Sequence, residues 1–470
     1  MTMRQNGSEV LGEATLDEWA RDLRGEMIQP GAPGYDEARS IWNGAHDRRP
    51  ALIVRCRGVA DVLKTVALAR GEGLPLAVRG GGHSIPGFST VDQGIVLDLA
   101  PMKGVRVDPG RRTVTAQGGC LWGDVDAETQ AFGLAVTGGL ISTTGIAGFA
   151  LGGGLGWLVR RFGLTSDNLV GADVVTADGR YLHAGGDEHA DLLWALRGGG
   201  GNFGVVTSFE FRLHDVGPTV FAGPVFYRGE DAERVLRGFR AAAPTAPDEL
   251  TLAVNLATAP PVPFLPEEIH GKPVVVVLGM WSGDPGAGDA ATRPFRELAP
   301  AVVDLFGPMP YLAMQCMLDP LYPRGMWNYF RSAFFGDLDD TTIGAFLDAY
   351  AQAPNAVSEL HIHHLGGAMG RVPADATAFG TRDRDFILNV AARSMDADGF
   401  PATIEWARAA TGVLGPNAAA YVNFTGEAGE DRVRASYPKD TYERLVAVKD
   451  RYDPANLFRL NQNIRPSAAR

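Results

Sequence analysis

The first part of the chain alternates short apolar stretches with a segment of helical periodicity. Residues 51–54 are apolar and predict a buried strand, and residues 76–78 predict a second one. Between them, residues 59–71 carry apolar positions at the three- and four-residue spacing of an amphipathic helix. The pattern therefore predicts a β-α-β unit, and a glycine-rich loop follows its second strand.

Strands and helices continue to about residue 213. The pattern predicts a strand at 94–99, a hairpin of strands 104–107 and 112–116 with its turn at 108–110, a helix at 122–132, a strand at 170–176, a helix at 191–197 and a strand beginning at 202–207. Beyond residues 213–217, prolines cluster, and strands such as 273–279 alternate with amphipathic helices such as 340–352. We therefore predict an α+β fold with a first domain at 1–215, a second at 216–420 and a tail at 421–470.

Composition and charge exclude several classes of partner. The 470 residues carry a formal net charge of -12 without a long basic run, which disfavours nucleic acid and anionic membranes. No stretch approaches about 20 uninterrupted apolar residues, and the first residues lack the apolar core of a secretion signal, so we expect a cytoplasmic protein. Three cysteines far apart support neither a disulfide framework nor a Cys-rich metal site. We expect a monomer or small homo-oligomer with a small-molecule substrate.

The loop after the second strand carries candidate chemistry. It reads Arg79, Gly80, Gly81, Gly82, His83 and Ser84, with Gly87 just beyond. Glycine tolerates a left-handed backbone, so such a loop can curl and present its N–H groups to a bulky anion such as a pyrophosphate. The alternative interpretation is an ordinary glycine-rich turn with a surface histidine.

A second glycine-rich passage runs over residues 137–157. So many glycines weaken a regular helix by up to ~1 kcal/mol each relative to alanine, so we expect a segment used for close backbone approach. Neither the spacing of a P-loop nor that of a Rossmann fingerprint is present. Two glycine-rich clusters about 60 residues apart instead suggest a large dinucleotide held from two sides, for which FAD is the natural candidate.

The order and spacing of five motifs resemble the berberine bridge enzyme-like flavin oxidoreductases. They are the loop 79–84, the passage 137–156, and the segments 163–169, 197–206 and 452–466. The resemblance implies a vanillyl-alcohol-oxidase (PCMH-type) fold: a two-part FAD-binding domain, a substrate domain with an antiparallel β-sheet flanked by helices, and a C-terminal segment that returns to the FAD domain. It assigns FAD contacts to Arg79, Gly80, Gly81, Gly82, His83, Ser84, Gly87, Gly138, Leu140, Ser142, Thr143, Gly145, Gly148, Gly152, Gly153, Gly154, Asn168, Val205, Asn461 and Asn463.

The resemblance also implies that His83 is joined covalently to the 8α-methyl of the flavin. Many members of the family add a second link through a cysteine, whose place in this chain falls at about Ile141, and no cysteine lies nearby in the sequence. We therefore predict a single covalent bond, and we interpret Cys120 as a small core residue. A turn histidine capping backbone carbonyls is the alternative for His83.

Residues 358–367 predict a strand whose alternation sets Glu359, His361 and His363 on one face. Because the resemblance implies that the sheet faces the flavin, these side chains are candidates for proton transfer or substrate binding; a solvated sheet face and a metal site are the alternatives. The segment 421–423 resembles a strand beside the flavin, on which Tyr421 and Asn423 point the same way. Tyr421 could accept a substrate proton if the site lowers its pKa. It could also be a buried tyrosine bonded to backbone.

These expectations combine into one predicted reaction. An FAD-dependent oxidase would abstract a hydride from a C–H that bears OH or NH and reduce O2 to H2O2, while Tyr421 or the group of Glu359, His361 and His363 takes the heteroatom proton. A dehydrogenase of the same fold with another acceptor and a flavoprotein that sequesters a metabolite are the alternatives. Alcohols, sugars, amines and secondary metabolites all remain open as substrates, because fold does not select among them.

Overall fold

The computed structural model describes residues 3–5, 8–11, 13–415, 418–427 and 429–469. The predicted domain ranges 1–215, 216–420 and 421–470 each include a few positions outside these residues, and the boundaries themselves stay predictions. The α+β class is confirmed, because helices pack against sheets that are mainly antiparallel.

The first part of the chain carries short strands and helices in alternation. Its strands are β1 Met3–Gln5, β2 Ser8–Leu11, β3 Glu26–Ile28, β4 Leu52–Arg55, β5 Leu76–Arg79, β6 Ile95–Asp98, β7 Val105–Asp108, β8 Thr113–Gln117, β9 Leu134–Ala135, β10 Leu169–Val175, β11 Tyr181–Gly185, β12 Val205–Arg212 and β13 His214–Asp215. Its helices are α1 Glu13–Ala20, α2 Tyr35–Arg39, α3 Val59–Gly71, α4 Trp122–Gln130, α5 Ile146–Leu151, α6 Val159–Phe162 and α7 Ala190–Leu196.

Two sheets organise this part. In the first, β4 and β5 pair in parallel with β6, and β3 pairs antiparallel with β4. The predicted β-α-β unit is confirmed, because α3 connects β4 to β5 and β4 is fully buried along its apolar positions. The second sheet is antiparallel in the order β11-β10-β12-β8-β7 and contains the predicted hairpin of β7 and β8. The glycine-rich loop follows β5 directly, and a Cβ at Gly80 would lie 3.0 Å from the carbonyl oxygen of Gly118, just beyond β8 of the second sheet.

The second glycine-rich passage is more regular than predicted. It contains the six-residue helix α5, in which Gly148 is the one glycine, and Ile146 and Ala150 are fully buried. Burial of this apolar face compensates for the low helix propensity of glycine. On either side of α5 the passage is irregular, as expected.

The second part is built on a large antiparallel sheet. Its strands are β14 Thr219–Arg228, β15 Leu250–Thr258, β16 Pro273–Trp281, β17 Val303–Asp304, β18 Gly307–Pro310, β19 Trp327–Phe335, β20 Glu359–His364 and β21 Phe386–Ser394, and its helices are α8 Ala232–Ala242, α9 Gly288–Arg296, α10 Tyr311–Cys316, α11 Asp340–Ala351, α12 Ala368–Arg371 and α13 Phe400–Gly412. The strand order is β17-β14-β16-β15-β20-β21-β19, and β18 also pairs with β14.

The two faces of this sheet have different neighbours. Helices α8, α11 and α13 cover one face, where Phe239, Phe346 and Trp406 pack on sheet residues such as Val254 and Leu388. Because successive side chains of a strand point to opposite faces, the alternate residues point away from the helices and line a cavity. The large sheet thus presents one face to its helices and the other to the cavity.

The tail returns to the first part of the chain. It contains α14 Glu430–Ala435 and α15 Lys439–Tyr452. Lys449 Nζ donates to the Asn202 carbonyl at 2.8 Å, and Asn461 Nδ2 donates to the Gly201 carbonyl at 3.1 Å. Among the described residues, no helix has the length and apolarity needed to span a bilayer.

The prediction of a strand at 421–423 is wrong. Residues Val422–Phe424 form a single 3-10 turn. The backbone N–H of Tyr421 donates to the side-chain hydroxyl of Ser332 on β19 at 3.0 Å, instead of to a backbone carbonyl of that strand. A side chain thus replaces the ladder partner that a strand would need.

Candidate functional site

One large cavity lies between the first part of the chain and the large sheet. Its volume is about 1380 Å³, above the roughly 300–1,000 Å³ of ordinary small-molecule sites. Both glycine-rich passages, the open face of the large sheet and the tail line it. The chain therefore has room for a dinucleotide and a substrate in one continuous space.

The two glycine-rich passages touch each other directly. A Cβ at Gly81 would lie 2.5 Å from the Gly145 Cα, and a Cβ at Gly145 would lie 2.3 Å from the Gly81 nitrogen. Gly82 has φ 72°, a left-handed conformation that favours glycine. Glycine is required at positions 81 and 145 because the two backbones meet there. This contact brings both passages to the same wall of the cavity.

Half of the predicted FAD-contact residues line the cavity. These are Gly80, Gly81, Gly82, His83, Ser84, Leu140, Gly145, Gly148, Gly152 and Asn461. The others, which are not among the lining residues, are Arg79, Gly87, Gly138, Ser142, Thr143, Gly153, Gly154, Asn168, Val205 and Asn463.

Arg79 and Asn168, two of the residues that do not line the cavity, bond to the backbone of neighbouring segments. Arg79 Nε donates to the Ser89 carbonyl at 3.0 Å and so fixes the base of the first loop. Asn168 Nδ2 donates to the carbonyls of Phe162 and Leu164, both at 2.9 Å. These residues support the cavity wall by contacts within the protein.

His83 lies at the cavity with one ring nitrogen engaged. Its Nε2 is 3.1 Å from Thr143 Oγ1, and its ring stacks on Trp42 with centroids 4.7 Å apart. Burial, and to a lesser extent the charge of Arg324, lowers the pKa of His83 to about 4. The imidazole is therefore neutral at ordinary pH, and Nδ1 is the nitrogen that Thr143 leaves available.

The strand β20 brings a carboxylate and two imidazoles to the cavity. Glu359, His361 and His363 all line it, as the alternation predicts. Glu359 Oε2 accepts from His361 Nε2 at 2.8 Å and from the Tyr322 hydroxyl at 3.0 Å, and its Oε1 lies 3.1 Å from Arg393 Nη2. Burial alone would raise the pKa of this carboxyl, but Arg393 and the two hydrogen bonds lower it to about 2.

Several polar atoms at the cavity have no partner within the protein. They are His363 Nε2, Asn255 Oδ1, Asn389 Oδ1 and Asn461 Oδ1, and each is buried. Burial, with a smaller contribution from His361, lowers the pKa of His363 to about 3, so this ring is neutral. Buried polar atoms are normally satisfied. Unpaired atoms around an apolar cavity, beside a cradle of glycines, fit a site built for FAD and a polar group of a substrate.

Tyr421 does not reach the cavity, whereas Asn423 lines it. The Tyr421 hydroxyl is buried and accepts from the Gly154 N–H and from Asn423 Nδ2, both at 2.8 Å. Burial raises the pKa of Tyr421, the opposite of what the role of a base requires. The geometry corresponds to the alternative of a buried structural tyrosine.

The structure adds polar residues that the sequence reasoning missed. Tyr322 comes from an irregular loop, and no periodicity points to it. Asn389 and Arg393 lie four residues apart on the apolar strand β21 and so share a face, a signal that alternation could have revealed. Asn389 Nδ2 lies 3.4 Å from His361 Nδ1.

The three cysteines take no part in the cavity wall. Cys56, Cys120 and Cys316 are free, and none lines the cavity. Cys120 is buried, in agreement with its interpretation as a core residue. Within the described part of the chain, no group of three or more His, Cys, Asp or Glu side chains is arranged to hold a metal ion.

Two family models match this chain, one in its first part and one in its tail. A family model described as "FAD binding domain" matches residues 50–185, and one described as "Berberine and berberine like" matches residues 420–465. An FAD-linked oxidoreductase of Dictyostelium discoideum is 32% identical over 457 residues, which cover 96% of this chain and 97% of that protein. The (R)-6-hydroxynicotine oxidase of Paenarthrobacter nicotinovorans is 31% identical over 477 residues, which cover 95% and 98%.

Solved structures share the architecture. The 6-hydroxy-D-nicotine oxidase from Arthrobacter nicotinovorans has a TM-score of 0.86 at 30% identity, covering 95% of this chain and 99% of that one. Glucooligosaccharide oxidase from Acremonium strictum, described with a 6-S-cysteinyl, 8α-N1-histidyl FAD, has a TM-score of 0.83 at 24% identity, covering 94% and 97%, and shares the fold. The chain belongs to the berberine bridge enzyme-like family of FAD-linked oxidoreductases, on the PCMH-type FAD-binding fold.

Proposed function

We propose that this chain is an FAD-dependent oxidase that takes a hydride from a C–H bearing OH or NH of a small organic substrate and reduces O2 to H2O2. The observation that carries the proposal is the ionised Glu359, which shares one cavity with the glycine loop of His83. A carboxylate held charged beside the His361 imidazole is suited to stabilise the positive charge that this ring gains when it takes the heteroatom proton. The nicotine oxidase named above, 31% identical, supports oxidation over other flavin chemistry.

The residues of β20 and its neighbours would carry the proton. FAD bound in this cavity would supply the two-electron acceptor for the substrate hydride. His361 is the proton acceptor in the proposal. Glu359 Oε2 accepts from His361 Nε2 and from the Tyr322 hydroxyl, so the carboxylate orients both groups and stabilises the positive charge that His361 gains. Arg393 keeps that carboxylate ionised.

We also propose that His83 is the single covalent attachment point, at the 8α position. Its neutral ring, with Nε2 held by Thr143, has a nitrogen available for the bond. None of the three cysteines lines the cavity, which supports a histidine-only link. The glycines of both passages and Asn461 would hold the remainder of the cofactor. The cytoplasmic location and the small oligomeric state stay predictions from the sequence.

Anaerobic reduction of the bound flavin tests the proposal. Purified flavin-loaded protein is mixed with a panel of alcohols, amines and sugars without oxygen, and the flavin absorbance is followed before and after air is admitted. An oxidase bleaches with a substrate, recovers in air and releases equimolar H2O2. Recovery only with a quinone or dye would instead identify a dehydrogenase. A compound that binds tightly without bleaching would identify a sequestering flavoprotein.

A further inference from the structure

The cavity face of the large sheet changes from polar to apolar across its strands. The register aligns one row of side chains over five neighbouring strands: Asn389 on β21, His361 on β20, Asn255 on β15, Val276 on β16 and Phe226 on β14. All five line the cavity. The row begins beside the Glu359 carboxylate and ends on an aromatic ring.

The apolar half of this face is formed by β14, β15 and β16, and none of its cavity-lining residues is charged. The cavity-lining residues of β14, β15 and β16 are Pro224, Phe226, Ala253, Asn255, Ala257, Thr258, Val274, Val276 and Leu278. Asn255 stands out among them, because its buried Oδ1 has no partner in the protein. Three strand spacings separate β20 from β14, which is about 14 Å. The surface next to the proton acceptor is therefore long and apolar, with one acceptor atom part of the way along.

The mouth of the cavity is also apolar. Four of the eight large apolar side chains that are exposed in the described residues line this cavity, namely Phe264, Leu305, Leu321 and Met395. Phe264 stands on the hairpin loop between β15 and β16, and its ring lies 6.0 Å from that of Phe226. The apolar strip thus continues from the sheet to the solvent.

The carboxylate at the polar end of the cavity already has a counter-charge. The Glu359 carboxylate is paired with Arg393, and the imidazole of His363 is neutral. A charged substrate would have to give up its hydration without an opposite free charge, and a polyhydroxylated one would leave several hydroxyls unpaired on the apolar strip. Both classes are disfavoured by desolvation.

We propose that the substrate is a neutral amphiphile, with its oxidisable OH or NH at Glu359, Tyr322 and His361 and an apolar body about 14 Å long that lies over Val276 and Phe226. The inference rests on the proposed function for its reactive end. Binding removes the apolar surface of this body from water, so the affinity for the substrate increases with the length of the body. Sugars, which lack such a body, bind weakly.

Equilibrium binding to the flavin-loaded protein tests the substrate class. The probes are benzyl alcohol and its ω-phenylalkanol homologues of increasing chain length, with xylobiose as the sugar. Perturbation of the flavin absorption spectrum gives each Kd. The Kd is expected to fall about three- to fourfold per added methylene, until the chain spans the strip. A Kd that does not depend on length, or tighter binding of xylobiose, would overturn the proposal.

Two substitutions locate the apolar body. Val276→Thr is isosteric and is expected to weaken the long homologues several-fold while leaving benzyl alcohol unchanged. Phe264→Ser at the mouth is expected to weaken the longest homologues. Its matched control is Phe132→Ser, because Phe132 is 51% exposed, against 48% for Phe264, and lies away from the cavity. Equal effects of the two serine variants would refute the role of the mouth.

Measuring both substrate binding and flavin bleaching distinguishes a failure of this inference from a failure of the proposed function. If some other compound bleaches the flavin while the homologues show no length dependence, the substrate class is wrong and the oxidase stands. If affinity rises with length but no compound bleaches the flavin, the site is amphiphile-binding and the proposed oxidation fails.

Discussion

The hydroxyl of Tyr322 donates a hydrogen bond of 3.0 Å to Glu359 Oε2 across 37 residues of chain. Arg393 completes the arrangement, because it binds the other carboxylate oxygen and its guanidinium lies 4.4 Å from the Tyr322 ring centroid. Burial, followed by the charge of Glu359, raises the pKa of Tyr322, so its proton stays on the phenol. The phenol is therefore held as a hydrogen-bond donor to an ionised carboxylate, which leaves the Tyr322 oxygen able to accept from a substrate O–H or N–H beside His361.

Glu359→Gln removes the carboxylate charge beside His361 while keeping the shape of the side chain. We expect the rate of anaerobic flavin reduction to fall by about 10²- to 10⁴-fold, because a neutral amide cannot stabilise the positive charge that His361 gains with the substrate proton. Stopped-flow absorbance of the flavin measures this rate. Glu427→Gln is the matched control, since Glu427 also pairs with an arginine and a tyrosine but lies outside the cavity lining. A Glu359→Gln protein that is reduced at the normal rate would remove Glu359 from the mechanism.

Replacing Tyr322 is expected to affect the reaction, whereas replacing Tyr421 is expected to affect the stability of the fold. Tyr322→Phe is expected to slow flavin reduction by about tenfold or more, because the hydroxyl that can hold the substrate OH or NH beside His361 is lost. Tyr421→Phe is expected to lower the free energy of unfolding by about 1–3 kcal/mol, because the buried Gly154 N–H and the Asn423 amide lose their acceptor. Reduction rates and denaturant unfolding of both variants measure the contrast. The opposite pattern would restore Tyr421 as the base.

Local signals were sufficient for much of the site. The glycines after β5 predicted a close approach of the backbone to another group, and Gly81 does contact Gly145 in the fold. The alternation of β20 placed Glu359 and His361 on one face, because side-chain direction in a strand depends only on position.

The remaining site residues depend on contacts distant in the sequence. Tyr322 reaches Glu359 from a loop without periodicity, and only the packing of that loop on β20 and β21 brings the two together. The strand predicted at 421–423 failed for a similar reason, because Ser332, far away in the chain, captures the Tyr421 backbone N–H. Short segments without a hydrophobic pattern take their conformation from tertiary partners that the sequence does not display.

Replacing His83 tests the covalent link. Acid precipitation of the wild-type protein is expected to leave the flavin in the pellet, whereas His83→Ala releases it to the supernatant. A double variant with Cys120→Ser and Cys316→Ser is expected to retain the flavin, because neither thiol lines the cavity. Thr143→Val is expected to slow the attachment, since Thr143 holds the Nε2 side of the ring. Flavin retained by His83→Ala would mean that another residue carries the bond.

Lys449 is expected to secure the tail on the first part of the chain. Its ammonium is fully buried and bonds to Asp453 at 2.7 Å and to the carbonyls of Asn202 and Phe458 at 2.8 and 2.9 Å. Lys449→Met leaves the Asp453 carboxylate buried without its counter-charge, which typically costs about 3–5 kcal/mol. Denaturant unfolding measures the loss. Lys439→Met, on the same helix but exposed, is expected to cost less than about 0.5 kcal/mol, and equal losses in the two variants would contradict this role.

The buried His364 is expected to make the protein sensitive to acid. Its ring packs between Phe239 and Phe386, and Arg160 Nη1 donates to its Nε2 at 3.2 Å. Burial, with the charge of Arg160, lowers the pKa of His364 to about 3. The unfolded chain binds a proton below about pH 6.5, and the folded chain does not until about pH 3. Unfolding therefore takes up a proton in this interval, and stability falls as the pH falls.

His364→Gln removes this proton uptake while keeping an acceptor for Arg160. Between pH 4 and 6, we expect the dependence of the unfolding free energy on pH to become shallower by about 1.4 kcal/mol per pH unit, the amount that one proton contributes. Denaturant unfolding at several pH values measures both slopes. His183→Gln, at a half-exposed position on β11, controls for loss of a histidine at the surface. Parallel slopes for wild type and His364→Gln would show that this imidazole is already protonated in the folded protein, and that its burial among aromatic rings does not hold it neutral.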